Sequence, residues 1–237
     1  MIFMAKKEMR NSNRVSKANN TKKVIIGIAI LTTIVLGYYY LSPQEGASNS
    51  LDVKKIEGKY TQLSRNPGPY QGKAVATEFM SFYCDHCYEL EKRMPSIMEK
   101  YGERLQIIYK PIVWSGQSTN SVEAHIIAEQ LGKEKEMREA LFKAQFKEGK
   151  DISDLNELRR IAASIGLGEE FNSKLDKGEA RKQAQANIQL SQTYFVDETP
   201  SIIVNNLLKV TPQNTEDNID LMAQNLDTKI GSIIKQS

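Results

Sequence analysis

The sequence predicts an α/β domain interrupted by an all-helical insertion and preceded by one apolar, membrane-spanning helix. Three observations carry that prediction. Residues 24–41 run without a charge, strand-like segments lie on both sides of a long stretch of helical period, and a Cys-x-x-Cys stands where a strand meets a helix.

The uncharged run reads VIIGIAILTTIVLGYYYL. At 1.5 Å per residue a helix of that length spans about 27 Å, close to the hydrocarbon thickness of a bilayer. Lys22 and Lys23 precede it, and Tyr38, Tyr39 and Tyr40 crowd its far end. Basic residues stay on the cytoplasmic side and aromatic rings settle at the interface. Residues 1–23 are therefore expected as a cytoplasmic tail, with the body outside. A cleaved signal peptide is the rival reading; its apolar region is shorter, about 7–15 residues, and small residues follow closely. The polar leader and the bulky tyrosines favour the anchor, although Gly46-Ala47-Ser48 offers a cleavage site. In both readings the body lies outside the cytoplasm, and in the anchored one it is held to the membrane by a single pass.

Charge follows the same division. Residues 1–41 hold seven basic residues against Glu8, a net of +6, so the whole-chain value of +3 leaves −3 for the body. A mildly acidic body lacks the basic face that neutralises phosphates, which argues against nucleic acid.

Residues 42–50 (SPQEGASNS) form a small-residue linker. Residues 74–81 (AVATEFMS) read as a buried strand leading into the cysteines, residues after Asp85 as a helix, and residues 105–113 as the next strand. From about Thr119 to Tyr194 the period is helical. Ile152, Leu155, Leu158, Ile161, Ala162 and Ile165 form its clearest stripe, with Ser153 or Asp154 as start and Gly166 as stop. Strand character returns over 201–204; Asn205-Asn206 is a turn, 207–210 the partner strand, and about 215–235 a final helix. The expected division is one α/β domain over 51–116 and 191–237, with the helical insertion over 117–190.

Cys84 and Cys87 are the only cysteines. At a helix N-terminus the free N–H groups and the helix dipole favour a thiolate on the first sulfur. The spacing also permits a disulfide, so the pair can cycle, with Cys84 attacking and Cys87 resolving. A zinc site needs about four ligands, and the chain adds only His86 and His125, the former badly placed inside the motif. An inert disulfide closing so short a loop would stabilise little. Among the other candidates, His125 reads as a helix-surface residue, and Trp114, Phe79, Phe82 and Tyr83 read mainly as core.

The segment TEFMSFYCDHCYELE, Thr77 to Glu91, resembles the active-site segment of the DsbA family of thiol:disulfide oxidoreductases. The segment ETPSIIVNNLLKVTPQNTEDNID, Glu198 to Asp220, resembles the end of the same fold. The resemblance covers about 51–235 and implies a thioredoxin-like fold. It implies Cys84 as nucleophile, Cys87 as its partner and His86 as the residue that stabilises the thiolate. Thr199-Pro200 matches a cis-proline loop against which substrate chains lie, and Glu78 a buried acid, candidate proton acceptor for Cys87. It further implies cysteine-containing substrate proteins, a quinone-linked membrane reoxidase of the DsbB type, and no cofactor beyond the redox-active disulfide. A reductase or isomerase of the same compartment, or a binding module with a vestigial disulfide, stays open as an alternative.

Two positions depart from the family pattern. Asp85 stands where relatives commonly carry proline. A carboxylate about 6 Å from the Cys84 thiolate repels it by roughly 0.7–3 kcal/mol for an effective dielectric of 80 to 20. Tyr109 stands where relatives often carry a lysine near the buried acid, and Lys110 beside it points to the other face.

Overall fold

The computed structural model describes residues 57–63, 65 and 72–236. The basic tail, the apolar run at 24–41 and the linker at 42–50 lie outside the described residues. Among the described residues no helix is long and apolar enough to cross a membrane.

Among the described residues five strands form one mixed sheet. They are β1 (Thr61–Gln62), β2 (Ala74–Met80), β3 (Leu105–Pro111), β4 (Ser201–Val204) and β5 (Leu208–Val210), in spatial order β1-β5-β4-β2-β3. Central β2 runs parallel to β3 and antiparallel to β4. Parallel neighbours need a crossover, and it is made here by α1 (Asp85–Glu91) and α2 (Met94–Tyr101). The two helices are separate because Pro95, at the start of α2, has no N–H to continue the ladder of α1.

Five helices follow β3: α3 (Asn120–Gln130), α4 (Glu134–Phe146), α5 (Leu155–Ser164), α6 (Glu169–Asp176) and α7 (Arg181–Thr193). The expected stripe is α5, whose N-cap is Asp154, accepting the Asn156 N–H at 2.7 Å. Gly166 ends that segment at φ +83°, the left-handed conformation glycine adopts without a Cβ penalty. Asn205 and Asn206, both at positive φ, make the tight turn between β4 and β5. The last helix, α8 (Ile219–Lys235), starts four residues later than the sequence suggests. A 3₁₀ turn at Pro212–Thr215 with a capping box at Thr211 comes first, and the Asn218 side chain caps α8 by accepting from Leu221 N–H.

Strand alternation divides the core. Ala74, Ala76, Ile202 and Val204 face Leu90, Met94, Leu226 and Ile230 of α1, α2 and α8, while Phe79 and Ile203 face the opposite side with Ile112. Glu78, two residues from Ala76 and Met80, is thereby placed on the α1 face. A third apolar cluster fills the helical block and reaches the cysteine loop. The Phe82 ring lies 5.2 Å from that of Phe142, and the Tyr88 ring stacks on Phe146 at 5.2 Å. Each fully buried Phe is worth about 1.5–3 kcal/mol of apolar burial, so the helical block holds the loop rather than merely flanking it.

Candidate active site

β2 ends at Met80 and the chain turns into α1 within four residues. The Cys84 N–H donates to Ser81 O at 3.1 Å, and Cys84 itself is the extended N-cap of α1. Its Sγ accepts the Cys87 N–H at 3.3 Å, taking the place an oxygen usually fills among the unpaired amides of a first turn. Cys87, one turn on, is 1% exposed. Asp85 is exposed and uses Oδ1 to accept the His86 N–H at 2.8 Å.

The two sulfurs are driven apart in acidity. A hydrogen bond from the Cys87 thiol is the largest influence on Cys84; with help from the Thr199 side chain and the Cys87 N–H it outweighs burial and brings the thiol down to about 6. The Asp85 carboxylate works against this, as its charge requires. Burial pushes Cys87 well above the ordinary thiol range, and its bond to Cys84 and the Cys84 charge push the same way. Cys84 is thus the thiolate at neutral pH and Cys87 the thiol. The thiolate is the nucleophile, so alkylation of Cys84 in the reduced protein falls as pH drops through about 6. Following thiolate absorbance and iodoacetamide labelling between pH 4 and 9 checks this; a midpoint near 8.5, the free-cysteine value, contradicts it. Among the described residues no hydrogen bond joins the His86 ring to Cys84.

Thr199 and Pro200 arrive beside Cys84 through strand register. Ser201 pairs with Phe79 across the antiparallel β2–β4 ladder, so the residues before Ser201 run alongside those after Phe79. The Thr199–Pro200 peptide bond is cis, and Cys84 Sγ lies 3.1 Å from Thr199 O, an S–H···O contact of the thiol form. The approach to this loop is tied down from β5. Buried Lys209 donates through Nζ to Phe195 O at 2.6 Å and to Asp197 Oδ1 at 3.3 Å, and Ser201 Oγ donates to Glu198 O at 2.8 Å.

Glu78 is 3% exposed, and its Oε2 makes no hydrogen bond among the described residues. Burial first, then the Glu91 charge, push its carboxyl up to about 8, while Arg138 pulls the other way. Tyr109 is its register partner on β3. The Tyr109 ring carries the Arg138 guanidinium 3.7 Å from its centroid, so a cation does stand over this position, supplied by α4 rather than by the strand.

Cys84, Asp85, His86, Cys87, Glu78, Thr199 and Pro200 therefore gather around one strand–helix junction. The sequence reading does not place the charged residues behind them, Glu91, Glu134 and Arg138, and it puts His125 on a helix surface. His125 is not a surface residue; it is fully buried, with Nε2 2.8 Å from Glu134 Oε1 and its ring 5.5 Å from that of Phe82. Burial raises Glu134, but the His125 hydrogen bond and Arg138 hold it at about 2. Spacing held a signal: Glu134, Arg138, Leu141 and Phe142 share one helical stripe, and Glu91 lies one turn beyond Cys87. Trp114 is also corrected, being 39% exposed after β3 rather than core. Among the described residues no group of three or more His, Cys, Asp or Glu side chains is placed to hold a metal ion.

Comparison with known proteins agrees with this geometry. Residues 75–227 match the family model of the DSBA-like thioredoxin domain. The thiol:disulfide interchange protein DsbA of Haemophilus influenzae is 28% identical over 171 residues, covering 70% of this chain and 81% of the relative. The protein of that name from Pseudomonas syringae pv. tomato is 26% identical over 149 residues, covering 62% and 70%. The crystal structure of Xylella fastidiosa DsbA superposes with a TM-score of 0.63 at 22% identity, over 73% of this chain and 94% of that one. The electrons of such an enzyme are carried by its own two sulfurs, without a cofactor. The chain belongs to the DSBA-like thioredoxin domain family and is a thiol:disulfide oxidoreductase of the DsbA type.

Proposed function

We propose that the protein donates its Cys84–Cys87 disulfide to cysteine-containing proteins outside the cytoplasm. One observation carries the direction of transfer. The groups around Cys84 favour its thiolate, which stabilises the dithiol form and makes the disulfide ready to be reduced. A substrate thiolate attacks Cys84 Sγ, the Cys84–Cys87 bond breaks, and Cys87 leaves as a thiolate. Glu78, protonated at neutral pH, hands that thiolate its proton; on reoxidation the carboxylate takes it back. The second substrate thiolate then attacks the substrate sulfur of the mixed disulfide, and Cys84 leaves as the stabilised thiolate. Thr199 and Pro200 line the face where the substrate chain lies. Oxidised protein mixed with a reduced two-cysteine protein is expected to transfer one disulfide per molecule; transfer only in the reverse direction contradicts the proposal.

Asp85 tempers this oxidant. Its repulsion of the thiolate lowers the potential by roughly 15–60 mV, from about 30 mV per 1.4 kcal/mol. Asp85→Pro is therefore expected to raise the potential by that amount in a glutathione equilibrium. An unchanged or lower potential sinks the assignment.

The division into a thioredoxin-like domain over 51–116 and 191–237 and a helical insertion over 117–190 belongs to this reading. So does the placement: residues 24–41 hold the protein to the inner membrane, catalytic domain in the periplasm, where a quinone-linked partner of the DsbB type reoxidises it. After alkaline washing of membranes the full-length chain should stay in the pellet. A shortened, soluble periplasmic chain would support signal cleavage instead.

A further inference from the structure

Arg138 enters the active site from outside the sheet that carries the cysteines. Its side chain is 4% exposed. Nε lies 3.0 Å from both Oε1 and Oε2 of Glu91, Nη1 donates to Glu134 Oε1, and the guanidinium lies over the Tyr109 ring. Glu91 follows Cys87 by one turn of α1, and Tyr109 is the strand partner of Glu78. A single cation from the helical block thus touches the helix bearing the resolving cysteine and the residue beside the buried acid.

The groups that face Glu78 can be named element by element. α1 contributes Cys84, Cys87 and Glu91, β3 contributes Tyr109, α4 contributes Glu134 and Arg138, and β4 contributes apolar Ile202. In that set Arg138 is the one cation. Burying a carboxylate among acids without a compensating cation is costly, and a hydrogen-bonded guanidinium is the group suited to supply it.

We propose that Arg138 is a positioning residue for disulfide exchange, which makes Glu78 able to pass its proton to and from Cys87 and places that step under the control of the helical block. The inference rests on Glu78 being the proton partner of Cys87. In the step itself no electron moves: the Glu78 O–H bond breaks, the Cys87 S–H bond forms, and Arg138 stabilises the carboxylate left behind. Reoxidation runs the same transfer backwards.

The test follows the Glu78 carboxyl by carbon NMR through a pH titration. In parallel it follows the release of glutathione from the Cys84 mixed disulfide, which requires the Cys87 proton to leave. An opposite charge at short range is worth about 1–3 pH units. Arg138→Met is therefore expected to move both profiles up by about one unit or more, and Arg138→Lys to restore most of the shift. Glu134→Gln removes a negative charge from the same cluster and is expected to move both down. Opposite signs separate electrostatic positioning from a loosened core, which would move both variants the same way. Should Arg138→Met fail to fold, the Lys and Gln variants carry the test. A Glu78 carboxyl unmoved by Arg138→Met, or moved in one direction by both charge changes, overturns the inference. An unchanged glutathione-release profile in Glu78→Gln overturns instead the reading it rests on.

Discussion

Cys84→Ala is expected to abolish disulfide transfer. With its thiol near 6, Cys84 is about nine-tenths thiolate at pH 7. Cys87 is the only other cysteine, and it is buried and held well above the ordinary thiol range. A thiol of pKa above 9 is less than about 1% ionised at pH 7, so even a Cys87 that reached substrate would offer about 100-fold less nucleophile. Its burial on the inner face of α1 removes that remainder. The rate of disulfide exchange with a small peptide, measured for wild type and variant, should fall to the uncatalysed level. A variant that retains a tenth of the wild-type rate would show that Cys84 is not the exchanging sulfur.

Cys87→Ala is expected to have the opposite character: chemistry starts and cannot finish. Cys84 keeps its partial exposure, its place at the start of α1 and the side chain of Thr199. It loses the Cys87 thiol hydrogen bond, the largest influence holding it down, so its pKa should rise part of the way back. It still attacks an oxidised peptide and forms a mixed disulfide. The sulfur one helical turn away, which resolves that species intramolecularly, is gone. Effective molarities of well-placed intramolecular groups far exceed any external thiol, so the mixed disulfide should persist at least about 100-fold longer. Mass spectrometry under non-reducing conditions reads this directly. Rapid release of peptide from the variant would mean that some other group resolves the intermediate.

These two outcomes depend on parts of the molecule that the sequence makes legible to different degrees. The redox pair is readable because strand, motif and helix are contiguous: an apolar strand delivers Cys84 to a helix start, and both consequences follow locally. The cis-proline loop is more than a hundred residues away. No spacing rule connects the two; only the family resemblance does, and the β2–β4 register supplies the physical link. Glu78 is intermediate, since alternation along β2 puts it on the α1 face once the flanking alanines are known to be buried. Arg138 was missed and His125 was put on the surface for a clear reason. Charged and aromatic-heterocyclic residues on a helix are usually solvated, and only the packing of α3 on α4 and of α4 on α1 reveals that these face inward. The late start of α8 was missed similarly, because capping at Thr211 and Asn218 overrides the helical period of the residues between them.

Net oxidation is the claim on which the account stands, and complementation tests it most directly. The full-length protein is expressed in a bacterium that lacks its periplasmic dithiol oxidase, and the disulfide content of a periplasmic reporter enzyme is measured. Wild type should restore disulfides and Cys84→Ala should not. A wild-type chain that is produced, correctly exported and redox-active against glutathione, yet leaves the reporter reduced, would contradict the assignment as a disulfide donor and favour a reductase or isomerase.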